Sequence, residues 1–453
     1  MSSFLFPSLR LTGQYSDPAR PKNCEDVVSS PPPAAERAFR TLRHRDFRLL
    51  WGAETISTAG TYINRAAMAW QVYQLTGSTV ELGLLGLVRF FPLMFFGIAG
   101  GVIADRGDRH RTLVASQLVL LAASLVLGGL TFAGGVTIWA IYAVAFVDGS
   151  VSAVANPTRQ AILPSLVPRE SLGGASTMNN LGFHVSAVCG PAIGGLVIGL
   201  AGVGWAYALD AASFAVVAVA ALQIKTKIAP VAITTTGLAA ALEGLRFLRR
   251  TPVLLGVMVT DAIATFFGVT SLLMPVFAEE VFHVGPEGLG LLLAAPAAGA
   301  VLSSGVLSVI RLPERAGLGV LLSVAVYGLA MLGFGLTGSF ALALAFLALS
   351  GATDAVSMVY RHTIRAVLTP DALRGRVAAL HRTLGVGGPQ LGEFEAGVVA
   401  SLIGAGPAVA LGGALAAVSA GVIAAKLPAV TRYRLFPVSG DQSSVQTTPQ
   451  PAD

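Results

Sequence analysis

The stretch GGVIADRGDRHRT, from Gly100 to Thr112, separates two apolar runs of the chain. The run before it reads LGLLGLVRFFPLMFFGIA, and the run after it reads LVASQLVLLAASLVLGGL. A helix needs about 20 apolar residues to cross the roughly 30 Å hydrocarbon layer of a bilayer. Two runs of nearly that length around a densely charged turn are typical of two membrane-spanning helices joined by a loop.

The composition extends this interpretation to the whole chain. Of its 453 residues, 54% are hydrophobic and only 12% are charged, and the mean hydropathy is +0.72. Soluble domains carry about 25% charged residues, so this composition indicates a polytopic helical membrane protein surrounded by membrane lipid. The formal charge of +6 is better explained by membrane loops than by a nucleic-acid partner, and no nucleic acid is expected to bind.

Apolar runs of spanning length recur twelve times, which predicts an all-α membrane protein with twelve transmembrane helices. Short turns such as GSTVE and LAGVG separate some neighbouring runs, and longer basic turns separate the others. The predicted spans are 47–74, 82–104, 113–133, 136–158, 173–201, 203–224, 253–279, 287–310, 316–337, 340–362, 376–403 and 405–426.

Lysine and arginine lie almost entirely in the two tails and in alternate turns, which is the pattern of cytoplasmic loops. Only Arg65 and Arg89 lie well inside predicted spans, and Arg382 lies near an inner end. Both termini are therefore predicted to be cytoplasmic, and the number of spans must be even. The basic turns hold Arg106, Arg109 and Arg111, Arg159 and Arg169, Lys225 to Arg250, Arg311 and Arg315, and Arg361 to Arg376.

The chain is predicted to divide into two six-helix halves flanked by tails. Residues 1–38, which include SSPPPAAE, and residues 429–453, which contain GDQSSVQTTPQPAD, are polar or proline-rich and are predicted to be disordered cytoplasmic tails. The N-terminal half covers 39–224, the C-terminal half covers 253–428, and 225–252 is a cytoplasmic linker between them.

The two halves carry a repeated sequence. TRQAILPSLVPRESLGGAS at 158–176 aligns with YRHTIRAVLTPDALRGRVA at 360–378, with a constant shift of 202 residues that pairs Arg159 with Arg361. Because the shift spans an even number of helices, the repeats are parallel and pseudo-symmetric about an axis along the membrane normal. This layout is found in transporters, whose substrate site lies in a central cavity between the halves.

The charged turn then resembles the hallmark loop of the major facilitator superfamily, Gly-x-x-x-Asp-Arg-x-Gly-Arg-Arg, between spans two and three. Asp108 stands where the pattern has its second glycine, and His110 replaces a basic residue. With NPTRQAILPSLVPRE and QVYQLTGST, these departures are similar to the branch of bacterial drug and siderophore exporters that includes enterobactin and macrolide exporters. The resemblance covers about 40–430. The residues that match the motif are Gly101, Asp105, Arg106, Arg109 and Arg111.

The resemblance implies a multi-pass transporter of the bacterial cytoplasmic (inner) membrane that works as a monomer. It also implies that the five motif residues form a conformational latch between the halves in the outward-facing state. A carboxylate at a helix end can accept charge-assisted hydrogen bonds from arginine. The second copy, GVLSVIRLPERAG at 305–317, keeps two arginines but lacks the aspartate. The latch is therefore one-sided; the alternative is that these arginines only set the topology.

A second segment, GPAIGG in span five, resembles the antiporter motif of the superfamily's exporters. Its glycines at four-residue spacing form a smooth face for close helix contact, and its proline can bend the helix. We therefore expect export rather than import. The motif residues are Gly190, Pro191, Gly194 and Gly195.

Polar residues recur at helical spacing in spans one, four and ten, three of the spans that line the central cavity in this superfamily. Asp261 opens the inner third of span seven, which also lines that cavity. Asp354 lies near an inner end, where pairing with Arg361 or Arg365 is the expected role. The candidate cavity and substrate residues are Thr61, Asn64, Arg65, Gln71, Asn156, Asp261 and Asp354.

Four carboxylates inside the spans are candidates for proton coupling, because charges in a membrane are costly and mark functional positions. Asp148 lies about 17 Å from the outer end of span four, near the midplane, and is the first choice. The alternative for Asp148 is an ion pair with Arg65 or Arg89. Glu393 and Glu395 stand two apart in span eleven and cannot share a helix face, and Glu54 is a candidate for a gate on the cytoplasmic side.

These observations favour a secondary active transporter that exports small amphipathic molecules by alternating access and proton antiport, with no cofactor. The substrate would be a drug, a siderophore or a secreted metabolite. An importer or facilitator of the same fold and a non-transporting sensor or scaffold are the alternatives. An enzyme is not expected, because the chain has no nucleotide-binding glycine loop with lysine and no metal-ligand spacing of histidine and cysteine.

Overall fold

The computed structural model describes residues 39–106, 108–224, 238–268, 270–307, 310 and 313–435, and within them the chain is helical with no β-strand. The first series of helices is α1 (Arg45–Thr76), α2 (Thr79–Arg106), α3 (Arg109–Phe132), α4 (Ile138–Ser165), α5 (Leu172–Ala201) and α6 (Val203–Leu222). A short helix, α7 (Leu238–Arg250), precedes the second series. That series is α8 (Pro252–Gly268), α9 (Gly285–Leu307), α10 (Ala316–Leu336), α11 (Phe340–Leu368), α12 (Asp371–Ile403) and α13 (Ala405–Lys426), followed by α14 (Pro428–Arg432).

Nine stretches of the described residues are long and apolar enough to cross a membrane. They comprise α3 to α6, α8 with the residues up to Val281, α9 to α11, and α13, in whole or in part. The helices α1, α2 and α12 are 32, 28 and 33 residues long, and they carry Arg65, Arg89 and Glu393, respectively. The chain is thus an all-helical, multi-pass membrane protein.

The apolar stretch that begins with α8 is broken near its middle. α8 ends at Gly268, and beyond Val269 the chain continues through a 3₁₀ turn at Ser271–Leu273 and a π-helical turn at Phe277–Val281. Non-helical backbone at membrane depth is tolerated where it is buried in protein or lines a cavity. The break leaves the side chain of Ser271 exposed.

The helix bounds differ from the predicted domain edges in two places. Residues 238–250 of the predicted linker form α7, and the first residues of the predicted C-terminal tail form α14. The side chain of Val430 is fully buried and packs against α8 and α10 at Gly256 and Gly317. This packing corrects the expectation of disorder from 429 onwards, because an apolar contact orders the tail as far as Leu435. Residues 1–38, 225–237 and 436–453 lie outside the described residues.

The packing of the helices repeats between the two series. In the first series α1 packs on α5 and α6, α2 on α4, and α3 on α4 and α6. In the second series α8 packs on α12 and α13, α9 on α11, and α10 on α11 and α13. Contacts between the series are made mainly by α2 with α12 and by α5 with α9.

Two glycines show the same repeat in their backbone conformation. Gly202 joins α5 to α6 and Gly404 joins α12 to α13, and their φ angles are +91° and +90°. Residues with a Cβ rarely adopt this region, whereas glycine does so at little cost. The two glycines are 202 residues apart, which is the same shift that aligns 158–176 with 360–378. The repeat seen in the sequence is therefore also present in the conformation of these two turns.

The two series share one hydrophobic core at the membrane face where α1 ends. This core contains Trp70 from α1 and Phe277 from the segment after α8. Close helix contact supports it, since a Cβ on Gly195 of α5 would lie 2.7 Å from the Cα of Gly290 of α9. At the face where α1 begins, the described residues form separate cores, one in the first series and two in the second. The described part of the molecule is therefore closed at the face where α1 ends.

Candidate substrate and proton site

Most of the surface of α1 is covered by other helices. Gly190 and Gly194 of α5 pack against the face that carries Tyr62 and Ile63. On another side, Ser213 of α6 lies against Gly60. The face that carries Glu54, Thr58, Thr61, Arg65 and Met68 is directed instead towards α4 and α2.

Four charged side chains converge near the middle of the molecule, and we name them the central charged cluster: Arg65 of α1, Arg89 of α2, Asp148 of α4 and Glu393 of α12. Arg89 donates from Nη2 to Sδ of Met68, at 3.1 Å, one turn from Arg65. On α2, Gly86 lies one turn before Arg89 and faces Glu393, and the backbone of Arg89 lies against Gly149, the neighbour of Asp148. The cluster thus brings together three helices of the first series and one of the second.

Glycines on α2 and α4 allow this convergence. A Cβ on Gly86, one turn before Arg89, would lie 3.1 Å from Oε2 of Glu393. A Cβ on Gly149, next to Asp148, would lie 3.0 Å from the carbonyl oxygen of Arg89. Helix backbones approach closely in membranes where residues are small. Gly86 and Gly149 therefore position the carboxylates beside Arg89.

The two arginines are incompletely paired by the described residues. Arg65 is exposed, and its guanidinium carbon lies 6.0 Å from the ring centroid of Tyr62. The Nε of Arg89 is buried without a hydrogen-bond partner. No ion pair within 4.0 Å joins Arg65, Arg89 or Asp148 to another described residue. Charged side chains in a bilayer normally pair with one another, and the described residues pair these two arginines only in part.

Glu393 links α12 to the break after α8. The hydroxyl of Ser271 donates a short hydrogen bond to Oε1 of Glu393, while Oε2 faces Gly86 of α2. Glu395 is half-buried and, two residues further on, has a different helix face. Of these two carboxylates, Glu393 is the one at the contact between the series.

Ion pairs occupy matching positions in the two series, towards the face where α1 begins. Arg159 of α4 pairs with Glu54 of α1 and lies 3.4 Å from Oγ1 of Thr58. Arg361 of α11 pairs with Asp261 of α8. Each pair joins the first helix of a series to the fourth, and the two arginines are the residues that the sequence repeat aligns.

The ion pair in the second series has additional partners. Arg361 also contacts Asp354 at 3.0 Å, and Nδ1 of His381 lies 3.9 Å from Asp261. The side chains of Arg361 and Asp261 are about nine-tenths buried, whereas that of Asp354 is half-exposed. Asp261 and Asp354, both predicted to line the cavity, are thus held by one arginine.

Two other predicted cavity residues lie away from the central charged cluster. Asn64 donates a short hydrogen bond to Asp210 of α6, which also accepts one from Ser124 of α3 at 2.7 Å. Gln71 accepts from the hydroxyl of Tyr207 at 2.8 Å. These side chains join α1 to α3 and α6 within the first series. The sequence contained a signal that Asn64 lies away from Arg65. The two residues are adjacent in α1, and adjacent residues of a helix point in different directions.

The remaining two predicted cavity residues lie on α1 and α4. Thr61 is half-buried and donates to the carbonyl of Ser57 at 3.0 Å, within α1. Asn156 is exposed on α4, two turns beyond Asp148. Both are accessible near the side of the molecule where the two series have separate cores.

The hallmark loop is described only in part. Gly101, Asp105 and Arg106 lie in the final turns of α2, and their side chains are outside the described part of the structure. Asp108 caps α3 by accepting from the amides of His110 and Arg111 at 3.0 and 3.4 Å. Helix N-caps favour aspartate in this way, so the departure from glycine at this position has a local structural reason. Arg109 is buried, whereas Arg111 is exposed and pairs with Asp108 at 3.5 Å.

The predicted antiporter motif contacts two different helices. Gly190 and Gly194 face α1, as described above, whereas Gly195 faces Gly290 of α9 in the second series. Pro191 lies inside α5, and a Cβ on Gly290 would lie 2.6 Å from its carbonyl oxygen. The motif therefore packs α5 within its own series and also closes the contact between the series.

Sequence reasoning missed a polar contact between the series at the closed face. The hydroxyl of Tyr73 at the end of α1 donates a short hydrogen bond to Glu280 in the π-helical turn. The sequence FAEEVFH (277–283) places two acids at the end of an apolar run, and this was the available signal. No described group of three or more His, Cys, Asp and Glu side chains is arranged to hold a metal ion.

Comparison with known proteins agrees with this architecture. The pattern of the family described as transmembrane secretion effector, a family of major facilitator superfamily transporters, matches residues 36–451. The chain belongs to this family, which is a family of transporters and not of enzymes.

Particular relatives and solved structures refine the comparison. Enterobactin exporters of Escherichia coli O1:K1 and Shigella boydii serotype 18 are each 29% identical to the chain over 80% of its length and 86% of theirs. A bacterial homologue of the iron transporter ferroportin in an inward-facing state is 15% identical, covers 84% of this chain and 99% of its own, and gives a TM-score of 0.65. The nucleoside transporter NupG is 12% identical, with coverages of 86% and 100% and a TM-score of 0.68. At this identity the solved structures show the fold alone.

Proposed function

We propose that the protein exports small amphipathic molecules across the bacterial inner membrane by alternating access, in exchange for protons. Twelve spans form two pseudo-symmetric six-helix halves, and both termini are cytoplasmic. The repeated helix packing and the paired glycine turns support the two halves. The alternation of basic turns along the sequence supports the orientation.

The state described here is inward-facing in this proposal. The two halves share a core at the face where α1 ends and have separate cores at the face where α1 begins. With cytoplasmic termini, the closed face is the outer one. Opening it requires α2 to separate from α12 and α5 from α9, which are the contacts that Gly83, Gly195, Gly290 and Gly397 make possible.

The central charged cluster carries the proposal, because it joins the two halves through charge. We assign proton coupling to Glu393, with Asp148 as its counterpart in the first half. A proton on Glu393 neutralises the carboxylate and lowers the cost of burying it between α2 and α12. Protonation therefore favours the outer-closed state, and release of the proton to the cytoplasm prepares the site for substrate. This order of events is that of an antiporter.

The same cluster selects the substrate by charge. Arg65 and Arg89 present guanidinium groups that bind carboxylate and similar oxyanions through paired hydrogen bonds. An acidic group bound there competes with Glu393 and Asp148 for the arginines and leaves the ionised Glu393 buried between α2 and α12 without its cation, which favours separation of the two helices. The substrate of this proposal is an amphipathic molecule with an acidic group. The enterobactin exporters at 29% identity make a siderophore a suitable first test compound.

The proposal is tested in everted membrane vesicles with an imposed acid-inside gradient. Enterobactin, a macrolide and a lipophilic cation are added in turn, and dissipation of the gradient is recorded for the wild type, Glu393→Gln and Asp148→Asn. Enterobactin is expected to dissipate the gradient only when Glu393 is present. Glu395→Gln, with the same change two residues away, serves as the control and should keep most of the wild-type rate, because Glu395 lies on a different face of α12 from Glu393. Dissipation by the cation alone, or unchanged dissipation in Glu393→Gln, would contradict the proposal.

A further inference from the structure

Three arginines line a cavity at the start of α10, far from the central charged cluster. The cavity has a volume of about 400 Å³ and is lined by Arg315, Leu318, Thr431, Arg432 and Arg434. We name it the basic pocket. It lies at the face where α1 begins, where α14 and the residues after it pack against the second half.

The positive charge of the basic pocket is not balanced by the described residues. None of the residues that line it is acidic, and its three arginines are exposed. No ion pair within 4.0 Å involves any of them among the described residues. The nearby Glu314 contributes only its backbone carbonyl, which accepts from the amides of Ala316 and Leu435 at 2.8 and 3.0 Å. Three guanidinium groups around one cavity favour a ligand with several anionic oxygens.

The first turn of α10 is covered by protein groups. Arg315 is the N-cap residue of this 21-residue helix and gives it no side-chain capping hydrogen bond. The amide of Ala316 donates to the carbonyl of Glu314, and Ala316 and Gly317 are buried, so the arginine side chains are the groups that face a ligand. The amide of Gly317 has only a long contact, 3.5 Å, with the carbonyl of Tyr433.

The pocket is held in place by packing. Val430 is fully buried between α8 and α10, and Leu435 is hydrogen-bonded to Glu314 through its backbone. These contacts fix Arg432 and Arg434 relative to Arg315. The three arginines therefore do not lie on a loose terminal segment, and their convergence is a property of the folded second half.

The depth of the pocket indicates where its ligand comes from. α10 is a candidate span that begins at Ala316, so the pocket lies where the apolar part of the helix begins. Leu318 supplies an apolar wall next to the arginines. Phospholipid phosphates lie at this level of a bilayer, and basic pockets on the cytoplasmic side of spanning helices bind anionic headgroups. Inorganic phosphate has no apolar part that could pack against Leu318, whereas a phospholipid has acyl chains.

We propose that the basic pocket binds the phosphate of an anionic phospholipid, held by Arg315, Arg432 and Arg434. The acyl chains extend along α10 past Leu318. The lipid joins the start of α10 to α14 and thus stabilises the cytoplasmic end of the second half. The site is separate from the transport site and is independent of the substrate and the coupling ion.

Native mass spectrometry of the full chain, titrated with phosphatidylglycerol, tests the proposal. The double variant Arg432→Gln/Arg434→Gln removes two of the three charges, and the matched control Arg246→Gln/Arg249→Gln removes two exposed arginines from α7. The wild type and the control are expected to retain one tightly bound phosphatidylglycerol. The double variant should bind this lipid about 10- to 30-fold more weakly, since each arginine near a headgroup contributes about 1 kcal/mol.

Three further measurements separate the alternatives. Arg432→Lys/Arg434→Lys keeps the charge and should retain most of the lipid, which shows that loss in the glutamine variant is not a folding defect. Phosphatidylcholine should not replace phosphatidylglycerol, and millimolar inorganic phosphate should not displace it. Equal retention by the wild type and the glutamine variant overturns the site, and displacement by inorganic phosphate overturns the lipid as its ligand.

Discussion

Arg89 illustrates, at the scale of a single residue, how this chain places charge inside a membrane. A cation in the hydrocarbon layer costs several kcal/mol unless it is paired or reaches water. Arg89 donates one hydrogen bond to the sulfur of Met68, while its Nε has no partner. Elsewhere the chain places a charge of opposite sign beside such a residue, as Arg159 pairs with Glu54. The incomplete pairing at Arg89 therefore marks the place where substrate is expected.

A substitution of Asn64 tests whether this residue stabilises the fold or binds substrate. Asn64→Ala removes a donor from the buried Asp210 and should lower the stability of the protein by about 1–3 kcal/mol. Transport per folded molecule should stay close to the wild-type value. Thermal unfolding in detergent and flux in proteoliposomes measure the two effects. Asn156→Ala is the control, because Asn156 is exposed, and should change stability by no more than about 0.5 kcal/mol. If Asn64→Ala lost transport without losing stability, Asn64 would instead have a role in the substrate cavity.

Arg361 allows a second residue-scale test. Arg361→Gln leaves the buried Asp261 without its cation, which typically costs about 3–5 kcal/mol. Asp354→Asn changes the half-exposed partner of the same arginine and should cost less than about 1 kcal/mol. Thermal unfolding of the two variants in the same detergent gives the comparison. Similar losses of stability in both variants would show that the ion pair of Arg361 with Asp261 contributes no more to stability than its contact with Asp354.

At the scale of the helices, the contact between α5 and α9 decides whether the outer face can close. A Cβ at Gly195 would lie 2.7 Å from the Cα of Gly290, closer than side-chain atoms come to a backbone. α5 also packs on α1 through Gly190 and Gly194, so it cannot move aside without disturbing the first half. The closure of the outer face therefore depends on Gly195 together with the other glycines at the contacts between the two series.

Gly195→Val is expected to abolish transport while leaving the two halves folded. Gly129→Val is the matched control, because nothing lies within 4 Å of a Cβ at Gly129 of α3. Flux in proteoliposomes should fall at least about tenfold for Gly195→Val and little for Gly129→Val, with similar helical content by circular dichroism. Normal transport by Gly195→Val would show that the outer face does not close through α5 and α9.

The elements also show what a sequence predicts and what it does not. Apolar runs and basic turns predicted each long helix to within several residues at most ends, because both follow from membrane thickness and topology. The stripe on α1 predicted a polar face but not its neighbours, so Asn64 and Gln71 were assigned to the cavity. Val430 was assigned to a disordered tail, since an isolated valine shows nothing about the groove that receives it. Partners depend on the three-dimensional packing of several helices, which a single sequence does not report.

At the scale of the whole molecule, the described helices form two series with the same packing pattern, and the two series share a core at the face where α1 ends. The shift of 202 residues, seen first in the sequence, recurs in the φ angles of Gly202 and Gly404 and in the arginines of the two ion pairs. The halves differ at the central charged cluster, where the first supplies both arginines and the second supplies Glu393. In the proposed mechanism, this asymmetry couples proton and substrate to the relative motion of the halves.

The central claim is that the halves alternate under the control of Glu393, and a distance across the outer face tests it most directly. Spin labels are attached to cysteines introduced at Gly135 and Gly338, in outer turns of the two halves, after Cys24 and Cys189 are replaced by serine. In lipid nanodiscs, Glu393→Gln, which mimics the protonated carboxyl, should show the short distance of the outer-closed state. The wild type at alkaline pH with enterobactin bound should populate a longer distance. One unchanged distance under all conditions, or a longer distance in Glu393→Gln, would contradict the account.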